Sequence, residues 1–279
     1  MEIKFINYLY NEKEINFTIE YKTITGIAGT SLKDYIEILT QRKQGKGTIL
    51  VNEEKITKEN IKNYQKRISF IPNLLVIPKY VLTVNELMKQ TIKQNNLIIK
   101  DYSKKIRDSL KIVGLDESYL ERTLQTLSQS EKKILQYALS LISNPELIIV
   151  EEPFKFLDNK NEKKIFMLLQ RLKEQFNINI ILLSTDQNAL HKYTDNMIFI
   201  KNNQVILEGP TTEVYQRVDF LKKNKFLIPE IIEFTYLAKK KKSVKIDYHK
   251  DIRDIIKDIY KHVLFTIIVE KEVIKCVTC

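Results

Sequence analysis

At 279 residues and 43% hydrophobic composition, the chain can bury one large core, or one core plus a small appendage, without needing a disulfide or a metal to hold it. Its net charge of +11 rests on lysine, with only seven arginines among 46 basic side chains, and a chain this rich in Lys, Ile and Asn reflects base composition as readily as function. The charge therefore does not single out nucleic acid, nucleotide or an anionic lipid surface. No run approaches the ~20 apolar residues of a bilayer span and no leader pattern opens the chain, so the expectation is a soluble, cytoplasmic protein.

Residues 2 to 24 alternate apolar and polar in short bursts (IKFINYLY, INFTIEY, TITG), the period of half-buried strands. GIAGTS then turns into LKDYIEILTQ, whose Tyr35, Ile36 and Leu39 fall at helical spacing. QGKGTILVN and KRISFIPN read as further strands, the second ended by Pro72. From 83 to 142 the period is helical, in LTVNELMKQTIK, YSKKIRDSLKIVGL and SEKKILQYALSLIS, and Pro145 stops the last of these. PELIIVEEP is a buried strand running into two carboxylates; NEKKIFMLLQRLKEQF is an amphipathic helix; INIILLSTD is a second buried strand. MIFIKNNQVILEG reads as a hairpin around Asn202 and Asn203.

Strand and helix alternating in this way predict an α/β protein with a mostly parallel sheet covered on both faces, whose ligands bind at the carboxyl ends of the strands. Three polar tips collect there: GIAGTSLK, VEEP and STD. Past Tyr215 the pattern changes to long charged helices, so a boundary is expected near 216. KKKK at 239 to 242 reads as a solvated helix end or loop. CVTC at 276 to 279 offers two cysteines, half of a tetrahedral metal site, and is given no redox or metal role.

Taken alone, LIIVEEP is a buried strand leaving the core on polar residues. In its context, LSQSEKKILQYALSLISNPELIIVEEPFKFLD resembles the signature-to-D-loop region of ATP-binding cassette (ABC) ATPases without a gap. Leu127, Ser128, Pro145, Glu152, Pro153, Leu157 and Asp158 are in register. Asn73 falls at that family's Q-loop position and Thr185 at its switch histidine. The segment after about 217 is similar to the helical extension of the ATPase subunits of energy-coupling factor importers.

The resemblance implies a P-loop NTPase fold of the ABC ATPase type, with a mostly parallel sheet, an antiparallel β edge and a helical subdomain at about 83–142. A nucleotide-binding domain would occupy 1–216 and a small helical extension 217–279. It implies ATP and Mg²⁺ as cofactors, with Gly26, Gly29, Thr30, Ser31, Lys33, Asn73 and Ser128 toward the nucleotide. Tyr10 or Tyr8 would stack on adenine, and Glu151 would orient the metal through water. Glu152 would position the attacking water, with Thr185 in the switch place. Such ATPases need a glycine-rich turn for backbone N–H groups to reach phosphate, a lysine for the β and γ phosphates, and a hydroxyl for Mg²⁺. The partners implied are a second ABC ATPase subunit and integral membrane subunits, with the chain peripheral on the cytoplasmic face of the membrane and no nucleic acid.

Departures from the pattern are concentrated in the phosphate-handling parts. Read against GxxxxGK[ST] from Gly26, Ser31 replaces the second glycine, Leu32 the lysine, and Lys33 the metal-binding hydroxyl, which a lysine cannot imitate as a ligand. Gln129 and Ser130 replace the signature glycines, Glu151 is one methylene longer than the family's Asp, and Thr185 lacks an imidazole. Two readings stay open: an importer ATPase subunit, and a catalytically silent subunit with a structural or regulatory place in such a complex. A nucleic-acid-associated cassette is a third, disfavoured by the dispersed charge.

Overall fold

The computed structural model describes residues 1–98, 100–242 and 247–261; CVTC lies outside them. The alternation at the start of the chain produces β1 (Ile3–Tyr10) and β2 (Lys13–Ile19), an antiparallel pair, then β3 (Ile24–Gly29) and α1 (Leu32–Leu39). β4 (Lys46–Val51), β5 (Glu54–Lys55), α2 (Ile61–Lys66) and β6 (Ile68–Ile71) follow. β1 carries an irregularity between Phe5 and Tyr8, where Asn7 takes φ 47°. Such a bulge bends the strand and adds twist.

The helical stretch forms α3 (Val84–Gln94), α4 (Tyr102–Ile112) and α5 (Gln129–Leu141). Two of them begin in capping boxes, Thr83 with Glu86 and Ser128 with Glu131, each satisfying helix N–H groups that otherwise lack partners. The elements that follow include β7 (Leu147–Glu151), α6 (Asn159–Phe176), β8 (Asn179–Leu183), α7 (Gln187–Tyr193), β9 (Asn196–Lys201) and β10 (Gln204–Pro210), then α8 (Thr211–Val214), α9 (Val218–Lys223), α10 (Glu230–Lys242) and a last helical stretch at 252–261. The hairpin joining β9 to β10 has φ 51° at Asn202 and 62° at Asn203. Positive φ at both central residues is the requirement of a type I′ turn, which Asn tolerates.

Four strands make a sheet in the order β2-β1-β4-β5, and six make a second in the order β10-β9-β3-β8-β7-β6. In the second, β6, β7, β8, β3 and β9 are parallel neighbours. This is the mostly parallel sheet with an antiparallel companion that the pattern implied. β8 is buried at every residue and β7 at every residue but its last. The tips of β3, β8 and β7 therefore lie side by side along one sheet edge, and a core of Phe5, Phe17, Tyr35, Leu39, Ile149 and Ile198 fills the layer behind them.

Residues 1–185 with 194–208 form one compact unit, and 186–193 with 209–279 a second. The boundary read near 216 falls inside the second. In that unit Tyr215 OH donates to Gln187 Oε1 (2.8 Å), Lys222 pairs with Glu233 (2.6 Å), and Tyr236 OH donates to Asp219 (2.6 Å). The lysine run ends α10, with Lys239 and Lys240 exposed.

His191 in α7 is 1% exposed, and its ring meets Tyr215 and Tyr248 edge-on at 5.2 and 5.3 Å. Its Nε2 has no hydrogen-bond partner among the described residues. Burial, with Lys250 as a smaller cause, pulls its pKa down to about 4. The unfolded chain takes up a proton near the ordinary histidine value of about 6.5, so stability held above that pH is lost as pH falls toward the folded value. Acidification from pH 7 to 5 is expected to cost about 2 kcal/mol through this group. His191→Phe should remove that part of the loss, read as the pH dependence of urea unfolding.

Candidate nucleotide site

β7 and β8 are parallel neighbours in register from Leu147 with Asn179 to Glu151 with Leu183. Just past this ladder Glu152 takes φ 46°, in the left-handed region that a residue with a side chain occupies only when its surroundings hold it there. Its N–H donates to Leu183 O at 2.8 Å. Its carboxylate reaches the tip of β8: Oε2 accepts from Ser184 Oγ (2.8 Å), and Oε1 from Thr185 N (3.0 Å) and Thr185 Oγ1 (3.1 Å). The two residues expected in catalytic places thus meet directly. Thr185 acts here as a hydrogen-bond donor that fixes the carboxylate.

Glu151, half-buried at the end of β7, accepts from the backbone N–H of Asn73 at 3.0 Å. The side-chain Oδ1 of Asn73 is buried with no hydrogen-bond partner among the described residues. A buried amide oxygen without a partner costs free energy, and amide and carboxylate oxygens are both hard donors of the kind Mg²⁺ takes. Asn73 and Glu151 fit that ion as its holders. Bound there, it would offset negative charge on a nucleotide.

The signature helix holds this carboxylate edge from behind. Lys133, 1% exposed, donates from Nζ to Glu151 O (3.0 Å) and Pro72 O (3.4 Å). Gln136 donates to Pro72 O (2.9 Å) and Tyr137 OH to Pro153 O (3.2 Å). Three side chains on one face of α5 thus hold carbonyls on both sides of the Glu151–Glu152 pair. Sequence reasoning missed them. The available signal was a polar series at 133, 136, 137 and 140 on a helix whose other residues there are apolar. Ser128 caps α5 and is exposed, with Oγ accepting from Glu131 N. Glu131 is held in turn by Arg122 (2.6 Å) and Tyr119 (2.8 Å), and the guanidinium keeps its carboxyl down at about 2.

The phosphate loop differs from its sequence reading. Gly26 lies inside β3, paired with Leu182 on one side and Met197 on the other, so it is a sheet residue and not the first glycine of a loop. The strand runs on to Gly29, opposite Ile200, and Thr30 N still donates to Ile200 O at 3.3 Å. Gly29 has φ 139°, and a Cβ there would lie 1.9 Å from Ile200 O. Its missing side chain is taken up by the neighbouring strand. Only Thr30 and Ser31 separate strand from helix. Counted from Gly29, the lysine comes four positions on, whereas the GxxxxGK pattern places it six on. Lys33 is thus not one residue late; the loop is two residues short.

Ser31 precedes α1 in the left-handed conformation (φ 62°) without a side-chain cap bond. Lys33 is exposed, and no hydrogen bond or ion pair engages it among the described residues. Asp34 stands in the first turn, with Oδ2 accepting from Asn203 Nδ2 (3.1 Å) and Oδ1 from Tyr10 OH (3.5 Å). Tyr10 is 4% exposed, its hydroxyl also donates to Glu37 (3.4 Å), and burial raises its pKa. Tyr8 is 3% exposed with its OH accepting from Gly45 N. Neither ring offers a face for adenine, because each packs in the core beneath the antiparallel sheet. Metal donors fit, whereas the phosphate cradle and the aromatic platform do not.

A carboxylate-ended central strand, a polar tip on its neighbour, a strand-to-helix turn on the same edge and a capped helix behind them are the framework of an α/β cassette of the P-loop fold class. The family model described as ABC transporter matches residues 13–155, about half of the chain, and the chain belongs to that family. It is 27% identical over 229 residues to the energy-coupling factor transporter ATP-binding protein EcfA2 of Enterococcus faecalis, covering 79% of each. Among solved structures it is similar to cbiO1 of Clostridium perfringens, described as part of the ABC transporter complex cbiONQ, with TM-score 0.67 and 22% identity over 84% of this chain and 98% of that one. A dimeric post-hydrolysis state of the cassette MJ0796 with ADP and Pi matches with TM-score 0.64 and 19% identity, over 75% of this chain and 98% of that one. The fold inferred from the signature region and the energy-coupling factor resemblance both stand on these comparisons. Among the described residues no helix is long and apolar enough to cross a membrane.

Proposed function

We propose that the chain is an ATP-binding subunit of an energy-coupling factor type importer, paired with a second cassette beneath integral membrane subunits and serving uptake of a small molecule such as a vitamin or metal ion. The match to an energy-coupling factor ATP-binding protein over most of both chains carries this reading. A groove of about 720 Å³, lined by Phe70, Pro72, Leu75, Val76, Gln136 and Leu139 among others, supports it. Val76 in its lining, with Leu74, Tyr80 and Leu82 on the same segment of chain, is among side chains 54 to 76% exposed. Exposed apolar side chains of this kind mark an interaction surface, and a membrane subunit is the partner this reading assigns to it. The chain would then sit peripherally on the cytoplasmic face of the membrane, without nucleic acid. Tagged chain solubilised from membranes should bring down a second ATPase and a polytopic protein; recovery of neither overturns the assembly.

A catalytically silent place in the same complex is the second reading, favoured by the two-residue loop. Turnover of the assembled complex separates the two. A loss of about 100-fold or more in Glu152→Gln assigns hydrolysis to this chain's carboxylate, and an assembled complex whose turnover that substitution leaves unchanged supports the silent reading.

A further inference from the structure

We propose that this chain's half of the nucleotide site does not recognise the β and γ phosphates, because Asp34 supplies a carboxylate of the chain's own at the head of α1. The inference rests on membership of the cassette family and stands whether or not the importer reading holds.

The turn itself is the first reason. A phosphate loop works by wrapping successive backbone N–H groups around an anion and delivering the last of them from the first turn of a helix. Here Thr30 N is spent on Ile200 O (3.3 Å) and Asp34 N on Ser31 O (3.0 Å), and the two residues between strand and helix leave too little chain to encircle a phosphate. Gly29 cannot be released to lengthen it, since the strand pairing with Ile200 uses that glycine's bare face.

Charge is the second reason. Counted from the lysine, Asp34 occupies the position next to Lys33 where the GK[ST] pattern has a metal-binding hydroxyl. Asn203 Nδ2 from the β9–β10 turn and Tyr10 OH from β1 fix its carboxylate. These two partners come from two separate elements, one on each carboxylate oxygen, so the carboxylate is held rather than swinging freely. The positive end of a helix favours one anion in its first turn, and here that anion is part of the chain. Glu37 lies against the same tyrosine hydroxyl, although Lys43 offsets it at 2.6 Å. A polyphosphate arriving at this turn meets a like charge, with exposed Lys33 as the cation facing it.

Binding of AMP, ADP and Mg-ATP to the purified full-length chain tests this, by calorimetry or equilibrium dialysis up to millimolar ligand. The expected result is less than a tenfold difference among the three, or no measurable binding of any. Asp34→Ser combined with a Ser-Gly insertion after Leu32, which puts a glycine five and the lysine six positions on from Gly29, should favour Mg-ATP over AMP by tenfold or more. A wild-type chain that binds Mg-ATP at least tenfold more tightly than AMP, with the difference abolished in Lys33→Ala, overturns the proposal. Should the insertion variant fail to fold, judged by its thermal melt, the wild-type and Lys33→Ala measurements decide alone. Recovery of membrane partners, which tests the importer reading, does not enter either outcome.

Discussion

Gly29→Ala is expected to destabilise the first compact unit by about 4 kcal/mol or more, the range reserved for backbone and packing failures. The added Cβ would lie 1.9 Å from Ile200 O and 2.8 Å from Ile200 C, and φ at this residue is +139°. Both atoms belong to the backbone of β9, so relief requires opening the β3–β9 ladder at the centre of the six-stranded sheet. Gly114→Ala is the control: φ is +79° there, but nothing lies within 4 Å of the new atom, and the cost should stay at about 1 kcal/mol. Urea unfolding of the two variants measures the difference, and equal losses would show that β3 can shift away from β9.

Lys133→Met is expected to make the protein more stable at pH 7, by about 1 to 2 kcal/mol. Burial lowers the ammonium's pKa to about 8, with Glu151 and Glu152 only partly compensating. The unfolded chain keeps its proton up to about 10.4, so the charged lysine burdens the fold at neutral pH by about 3 kcal/mol. Wild-type stability should therefore rise as pH goes from 8 to about 10.5, where the unfolded state still binds the proton that the folded state has released. Methionine removes that rise. It also loses the bonds to Glu151 O and Pro72 O, at about 1 kcal/mol each, and Gln136 still serves Pro72 O. A net loss of more than 2 kcal/mol at pH 7 would mean that the two carbonyl bonds outweigh the buried charge.

The sheet was legible because fully apolar strands such as LIIV and IILL, and the Asn202-Asn203 turn, carry local signals that tertiary structure does not need to override. The meeting of strand ends was legible: Glu151 and Glu152 lie beside the end of the strand that leads to Thr185 because β7 and β8 are neighbours. The end of β3 was not legible. A strand buried on both faces has no alternation to mark where it stops, and glycines at 26 and 29 look equally like a loop. Tyr10 misled for a related reason, since a tyrosine in an alternating strand is written the same way whether its ring faces a ligand or the core. Asp34 with Asn203, and Lys133 with Pro72, join residues 169 and 61 positions apart, and no local pattern encodes such pairs.

The hold of α5 on the carboxylate edge has a mechanical meaning. Ser128 sits at one end of this helix, and Lys133, Gln136 and Tyr137 grip the backbone of residues 72, 151 and 153 along its middle, about 7 to 14 Å from Ser128 at the rise of an α-helix. The helix is a short lever whose fulcrum is the pair of strand and loop that carry Glu151, Glu152 and Asn73. Any displacement of the Ser128 end would be passed to those three residues through backbone carbonyls and not through the turn at Ser31.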